Sequence, residues 1–549
     1  MEAKIPDNIP ESERNVLEFF NLPWQYETMP KLKIVNGHIV EFEFIQHFLK
    51  SLPDNFGDLK YLQKLSLSTN KLTSLPESFG NFKSLKKLNL GGNSFYSLPE
   101  IVRELKSLVY LNFSGNNLLS IPESIGDLNS LKKLTMRGGV FTFIPESIGN
   151  LISLTDLSIT SQKLKFLPES IGNLISLTDL SITSQKLKFL PESIGNLKSL
   201  KKLTILSGNF EFLPESIGNL TSLTDLKILA GKLKCLPESI GKLTSLNNLH
   251  LFRNQIKSLP ESIGELSSLN TLFLFDNSLS TLPESLGKLS SLNKLDLDRN
   301  SLTTLPESIG NLTSLTQLAL NKNKLISLPE SIGNLKSLKY LEIWNNQIKL
   351  LPENFGNLNS LELLKLGTNQ LKSLPESFGN LKSLIFLELE CNQLTFFPEN
   401  FENLVKLQRL DLRSNELTSL PEGFENLKNL YFLNITDNPL NSLSNLRLGF
   451  LRKGCFYIKY LLPKGKKLCQ EERFEELFQY YRKTSKQLTM EYLSNPKSLT
   501  EDEIERLIHE ASNSEIKILE NKLATNDPVL TKIIKKKSQE ISNGLKIYL

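Results

Sequence analysis

An α/β solenoid, curved into a horseshoe with a concave parallel sheet, is the fold this sequence predicts, and three observations predict it. Leu-Pro, with Ile or Phe sometimes replacing Leu, recurs every 23 residues from Leu52-Pro53 to Leu420-Pro421 without an insertion. Each period contains an alternating apolar segment such as Leu65-Ser66-Leu67, and an Asn stands at a fixed distance beyond it, as at Asn70. A fixed period of this length marks one supersecondary unit stacked many times, each unit burying the open flank of the last.

Within the unit that starts at Leu52, the alternation turns Leu65 and Leu67 inward and Lys64, Ser66 and Ser68 outward, the pattern of a half-buried strand. Phe56, Leu59 and Leu62 recur at three, the spacing of a short helical or 3-10 turn. Each coil therefore has a strand side and a helical side, and the bulkier helical side makes the strand side concave. Asn70 stands where the chain leaves the strand, and its amide can satisfy backbone groups that would otherwise be buried unpaired. Equivalent asparagines continue to Asn438, except in five consecutive coils that hold Gly139, Gln162, Gln185, Gly208 and Gly231. An unsatisfied buried group costs about 1 to 3 kcal/mol, so a softer or differently curved zone is expected across 139–231. Inside it, Pro145 to Phe166 and Pro168 to Phe189 are identical, a duplicated coil.

The organisation expected is a helical N-terminal cap over 1–28, a repeat array of about 18 coils over 29–442, and a helical cap and tail over 443–549. Met29-Pro30, Phe42, Phe44 and His47 form a degenerate first coil, and a short helix over Ser12 to Phe20 covers its open end with Val16, Leu17 and Phe20. Past Leu440, Phe474, Leu477, Phe478 and Tyr481 share a helical face, Thr500 and Glu503 form a capping box, and Asp527-Pro528 starts another helix. Arg447 to Lys467 is basic and amphipathic; it reads as a C-terminal cap, with contact to an anionic membrane as the alternative.

A net charge of +5 on 549 residues, with lysines dispersed among glutamates, gives no nucleic-acid signature. The acid after each Pro, from Asp54 to Glu422, reads as a solvated edge. There is no secretion signal at the N-terminus and no apolar run of 18 residues. Cys235, Cys391, Cys455 and Cys469 are scattered rather than paired in end caps, so reduced thiols and a cytoplasmic location are expected. The Asn-x-Ser/Thr matches at Asn112, Asn219, Asn311 and Asn434 arise from the repeat itself.

Catalytic signatures are weak. Gly241-Lys242 and Gly287-Lys288 continue into Leu, so neither is a phosphate loop, and His38, His47, His250 and His509 have no zinc-ligand spacing. Asp296 with Asp298, or Glu388 with Glu390 and Asp411, could hold a cation or act as acid and base, but a shallow sheet face buries them little. Cys455 or Cys469 as a nucleophile would need His509. No cofactor is expected.

Function is expected on the outward strand positions, two, four and six residues before the Asn slot, where adjacent coils bring equivalent side chains together. The N-terminal half offers mostly Ser, Thr, Lys and Gly there, as at Ser158, Thr160, Ser181 and Thr183, whereas aromatics gather further on. Exposed rings and arginines are enriched at binding hot spots. The candidate partner-binding residues are His250, Phe252, Phe273, Phe275, Asp298, Tyr340, Glu342, Trp344, Glu388, Glu390, Arg409, Asp411 and Arg413; the competing reading is that the rings stack on one another and the charges pair along the sheet.

The unit LPESIGNLxSLxxLxLxxNxLxS, as in Leu305 to Ser327, resembles the intracellular leucine-rich-repeat proteins of the plant Ras group and the Scribble-type scaffolds, over residues 29–442. That resemblance implies a non-enzymatic cytosolic scaffold or adaptor in signal transduction, with small GTPases, phosphatases or kinases as the partner classes. An enzyme of ubiquitin-ligase-like type, active through the C-terminal segment, is the alternative from another class.

Overall fold

The computed structural model describes residues 5–6, 8–20, 30–229, 231–421, 423–430, 432–435 and 437–439. Met29, Glu422, the helices and basic stretch expected after Leu440, and Cys455, Cys469 and His509 lie outside the described residues.

The first compact unit comprises Met1–Ile348 with Pro352–Leu361. It opens with a helix, α1 (Glu11–Glu18), whose Val16 and Leu17 are buried together with Phe20 beyond its end. Phe20 packs its ring 5.2 Å from Phe42 and 5.0 Å from Phe44, so the expected covering of the open core is present. The next element is a hairpin rather than only a degenerate coil: β1 (Lys31–Val35) runs antiparallel to β2 (His38–Glu43). The turn Asn36-Gly37 has φ of 50° and 77°, the positive pair that a tight hairpin needs and that Asn-Gly supplies at little cost. Buried Glu13 ties α1 to this hairpin by accepting the Ile39 N–H at 2.8 Å and meeting His38 Nδ1 at 2.9 Å.

From β2 onward, each coil of this unit adds one parallel strand, for example in the register Leu272 to Leu295 to Leu318 to Leu341, with one irregularity between Arg137 and Gly139. Leu-Pro delivers the chain into a 3-10 turn such as Glu307–Asn311, closed by Ile309 N–H to Pro306 O at 3.1 Å. Pro fits because its missing N–H falls before the first turn bond. Stacking favours the Gly of this turn: a Cβ on Gly310 would lie 2.4 Å from Ser331 O of the next coil, although Arg103 and Glu402 occupy the same slot in other coils.

The acidic column proves more than a solvated edge. Glu146 Oε2 accepts the Ser170 N–H at 3.1 Å and Glu284 Oε2 accepts Ser308 N–H at 3.1 Å. Each such carboxylate satisfies an N–H at the start of the next 3-10 turn that has no partner within its own turn.

At the strand exit, the asparagine acts as expected. Asn300 Nδ2 donates to Leu274 O and Leu297 O, both at 3.0 Å, and its Oδ1 accepts the Leu279 N–H at 3.0 Å, bridging two coils. The residue before it, Arg299, has φ 53°, and the same left-handed conformation recurs at Thr69, Asp276, Lys322 and Asn345. That conformation costs a non-Gly residue about 1 to 2 kcal/mol, which the asparagine bonds offset.

Coils lacking the asparagine solve the problem differently. Their strands lengthen from three residues, as in Lys294–Asp296, to six in Asp156–Ser161, Asp179–Ser184 and Lys202–Ser207. In these three coils the left-handed residue is replaced by a buried serine in the strand, whose hydroxyl donates back one coil: Ser161 to Phe141 O at 2.5 Å, Ser184 to Leu164 O at 2.7 Å, Ser207 to Leu187 O at 2.8 Å; the coil of Gly139 instead keeps a positive φ, 98°, at Gly138. Serine, not glutamine, thus meets the groups expected to be unsatisfied.

The second unit comprises Lys349–Leu351 and the chain from Glu362 on. Its strands Leu363–Lys365, Phe386–Glu388, Arg409–Asp411 and Phe432–Asn434 are parallel and in the same register, with Asn392 and Asn415 bridging as Asn300 does.

This packing sets two measurable outcomes. Gly310→Ala destabilises the array by about 1 to 3 kcal/mol in urea unfolding, because backbone rather than a flexible side chain stands in the way. Hydrogen exchange finds the amides of 156–207 at least as protected as those of 271–319, since the longer strands add backbone bonds where a softer zone is expected from the missing asparagines.

Candidate functional site

The outward positions of the first unit form a row across neighbouring strands: His250, Phe273, Asp296, Ala319 and Glu342 are mutual register partners. Ala319 interrupts a line of larger side chains. Above it lies a hollow of about 250 Å³ lined by Phe273, Lys294, Asp296, Gln317, Ala319, Tyr340 and Glu342.

The aromatic candidates flank this hollow but are less exposed than the sequence suggests. Phe252 and Phe275 stack at 4.3 Å with an interplanar angle of 11°, and His250 stacks on Phe273 at 4.8 Å. Lys322 Nζ sits 4.7 Å over the Trp344 ring. Phe252, Phe273, Phe275 and Trp344 are half-buried, less open than the expectation of exposed rings and in line with the competing reading of rings stacked along the sheet, while Tyr340 stays open to solvent. Cross-strand stacking at one strand spacing accounts for the difference.

The carboxylates Asp296 and Glu342 line the hollow, and Asp298 stands next to them outside the lining. Asp298 accepts from Asn321 twice, the backbone N–H at 2.7 Å and Nδ2 at 3.0 Å. Asn321 Nδ2 also donates to Glu342 Oε2 at 3.2 Å, and its Oδ1 accepts the Trp344 N–H at 3.0 Å. This buried asparagine fixes Asp298, Glu342 and Trp344 in one geometry. It stands among the outward positions, yet nothing in its residue type separates it from the polar side chains around it.

Asp296 accepts the Asp298 N–H at 3.1 Å. Burial, reinforced by the charges of Asp298 and Glu342, pushes its carboxyl up to about 6, against that backbone hydrogen bond. Asp298 is raised too, mainly by burial, and His250 is lowered by burial and the charge of Lys227.

In the second unit, the Arg409 guanidinium lies 4.0 Å over the Phe432 ring, with its Nε 3.8 Å from Glu388. Asp411 accepts the Arg413 N–H at 3.0 Å and Asn434 Nδ2 at 3.3 Å, and the Arg413 side chain is exposed. Burial and the charges of Asp411 and Glu388 raise Glu390, whose carboxylate occupies the space where a Cβ on Gly367 would stand. Among the described residues, no three His, Cys, Asp or Glu are placed to hold a metal ion, and no helix is long and apolar enough to cross a membrane. Cys235 and Cys391 are free and exposed.

The Asp296 environment has a consequence for stability. Its folded pKa of about 6 exceeds the ordinary 3.8, so the folded chain holds the extra proton between these values. The contribution is complete below about pH 4 and is lost as pH rises through 6, so the folded chain is on the order of 3 kcal/mol less stable at neutral pH than this carboxyl allows in acid. Asp296→Asn raises the urea midpoint near pH 7 and converges with the unsubstituted chain near about pH 4; parallel curves at both pH values would discard this account.

Comparison with known proteins bears on the whole array. A family profile described as leucine-rich repeat region matches residues 146–252, 232–329 and 321–395, and two further leucine rich repeat profiles match 48–95 and 391–440, and 107–128. A leucine-rich-repeat protein of Leptospira interrogans is similar at 34% identity and TM-score 0.58, over 72% of this chain and 95% of that one. The plant peptide hormone receptor RGFR1, solved in complex with RGF2, is similar at 28% identity and TM-score 0.56, over 71% of this chain and 69% of that one. A TDR receptor structure is similar at 26% identity and TM-score 0.50, over 73% of this chain and 84% of that one. No curated protein matches. Since the profiles run through the coils from 48 to 440 and a 34% identical relative is spanned almost end to end, the chain belongs to the leucine-rich-repeat family.

Proposed function

We propose that this chain is a non-catalytic binding scaffold that holds a partner protein on the outward face of its sheet, in the cytosol. The observation that supports it most is the hollow over Ala319, where the half-buried Phe273 ring, the exposed Tyr340 ring and the carboxylates of Asp296 and Glu342 converge on open space. Such a combination of rigid aromatic surface and oriented polar groups suits macromolecular recognition. Catalysis on this face is disfavoured by the lack of a nucleophile and base in contact; His250 faces a ring rather than a nucleophile. RGFR1, a plant peptide hormone receptor solved in complex with RGF2, supports the use of such an array for a polypeptide ligand. Exposed Cys235 and Cys391 fit a reducing compartment. The resemblance to Ras-group and Scribble-type proteins points to signalling proteins such as small GTPases, phosphatases or kinases. The ubiquitin-ligase-like alternative would depend on residues beyond 439 and gains nothing from the described coils.

Affinity capture on three forms of the full chain tests the reading: unsubstituted, Phe252→Ser/Phe275→Ser/Tyr340→Ser on the sheet face, and Thr313→Glu/Asn334→Glu on the 3-10 side. A partner retained by the first and third, and about tenfold depleted on the second, is the expected result. Equal retention by all three, with unchanged circular dichroism, rejects the sheet face as the binding surface.

A further inference from the structure

The sheet-face reading leaves open what chemistry the hollow selects. We propose that the hollow above Ala319 seats an arginine side chain presented by the partner protein, a proposal that rests on the protein-binding reading.

Size is the first argument. About 250 Å³ is less than the 300 to 1,000 Å³ of a typical small-molecule pocket, and it suits one long side chain. Its floor is the Ala319 methyl group, and in register Asp296 stands on one side and Glu342 on the other. A flat cation entering between them meets carboxylate on both flanks, with Phe273 beyond Asp296 and Tyr340 beside Glu342 to cover its faces. Guanidinium has this shape: planar, with donors in a fixed fork, weakly hydrated and able to stack on rings. Ammonium is more strongly hydrated and presents no face to stack.

The chain itself provides the second argument. In the second unit, Arg409 lies against an aromatic ring and a glutamate of the same outward face, 4.0 Å over Phe432 and 3.8 Å from Glu388. A ring and a carboxylate on the two strands that flank a guanidinium thus already accommodate it in this fold. The electrostatics agree, since the charges of Asp298 and Glu342 act on Asp296 in a direction that a bound cation reverses. Lys294 also lines the hollow, with its side chain exposed, so the arginine would enter beside an ammonium group that water solvates.

The sequence contains five alanines, so the full chain labelled with 13C at alanine methyls gives few signals, with that of Ala319 assigned by Ala319→Ser. The probes are capped Gly-Gly-Arg-Gly-Gly and its lysine and citrulline counterparts. A saturable shift of the Ala319 methyl with the arginine peptide is expected, weakened about tenfold with lysine and with Asp296→Asn/Glu342→Gln, and absent with citrulline. An equal response to citrulline, equal shifts at all alanines, or a double variant that binds as before overturns the proposal. If that happens while captured partners still depend on Phe252, Phe275 and Tyr340, only the arginine assignment fails. Loss of both results removes the sheet-face reading itself.

Discussion

The buried amide at the strand exit is the interaction on which the array depends. Leaving a strand sharply enough to make a coil of 23 residues puts one residue in the left-handed region, as Arg299 and Lys322 are. It also strands backbone groups where water cannot reach. Asn300 and Asn323 resolve both problems, each joining its own turn to the preceding coil through three short bonds. Stacking and turning are therefore one event, and a coil without its neighbour loses its turn as well as its core. The serine coils show that the constraint concerns satisfied backbone rather than asparagine: Ser184 keeps the chain extended longer and spans the same gap with a hydroxyl.

Once the turns are fixed, the outward strand residues are placed one strand spacing apart with no freedom to rearrange. That rigidity creates the hollow. A single small residue, Ala319, between Asp296 and Glu342 leaves a depression that the fixed backbone cannot collapse to fill. Behind the lining, Asn321 holds Asp298 and Glu342 from between them, so Glu342 keeps its orientation at the hollow without depending on solvent.

Most of the fold was legible because its determinants are periodic. Leu65, Leu67, Phe56 and Asn70 announce strand, turn and ladder by spacing alone, and all are buried as that spacing requires. The N-terminal hairpin is legible in principle through Asn36-Gly37, but Phe42 and Phe44 also fit the repeat frame, and that fit hides the turn before them. Serine replacement in the asparagine-free coils was hidden because Ser161 and Ser184 precede the expected slot by one residue, and serine also fills surface positions throughout. The site was half legible. Reading across coils located Phe252, Phe273, Tyr340 and Glu342 on one face, yet residue type could not tell that Phe252 would lie on Phe275, nor that Ala319 mattered by what it lacks.

The duplicated coil has a consequence of its own. Residues 145–166 and 168–189 are identical, and Ser161 and Ser184 make the same kind of bond to the coil before them. Every surface that one copy offers to a folding neighbour is offered equally by the other. Growth of the stack through this region therefore has two interchangeable docking partners, and a chain that skips one copy would bulge out a full loop while satisfying each interface locally. Identity between neighbours makes gain or loss of a coil easy in evolution, and the same identity makes misregistration the characteristic folding error of this stretch.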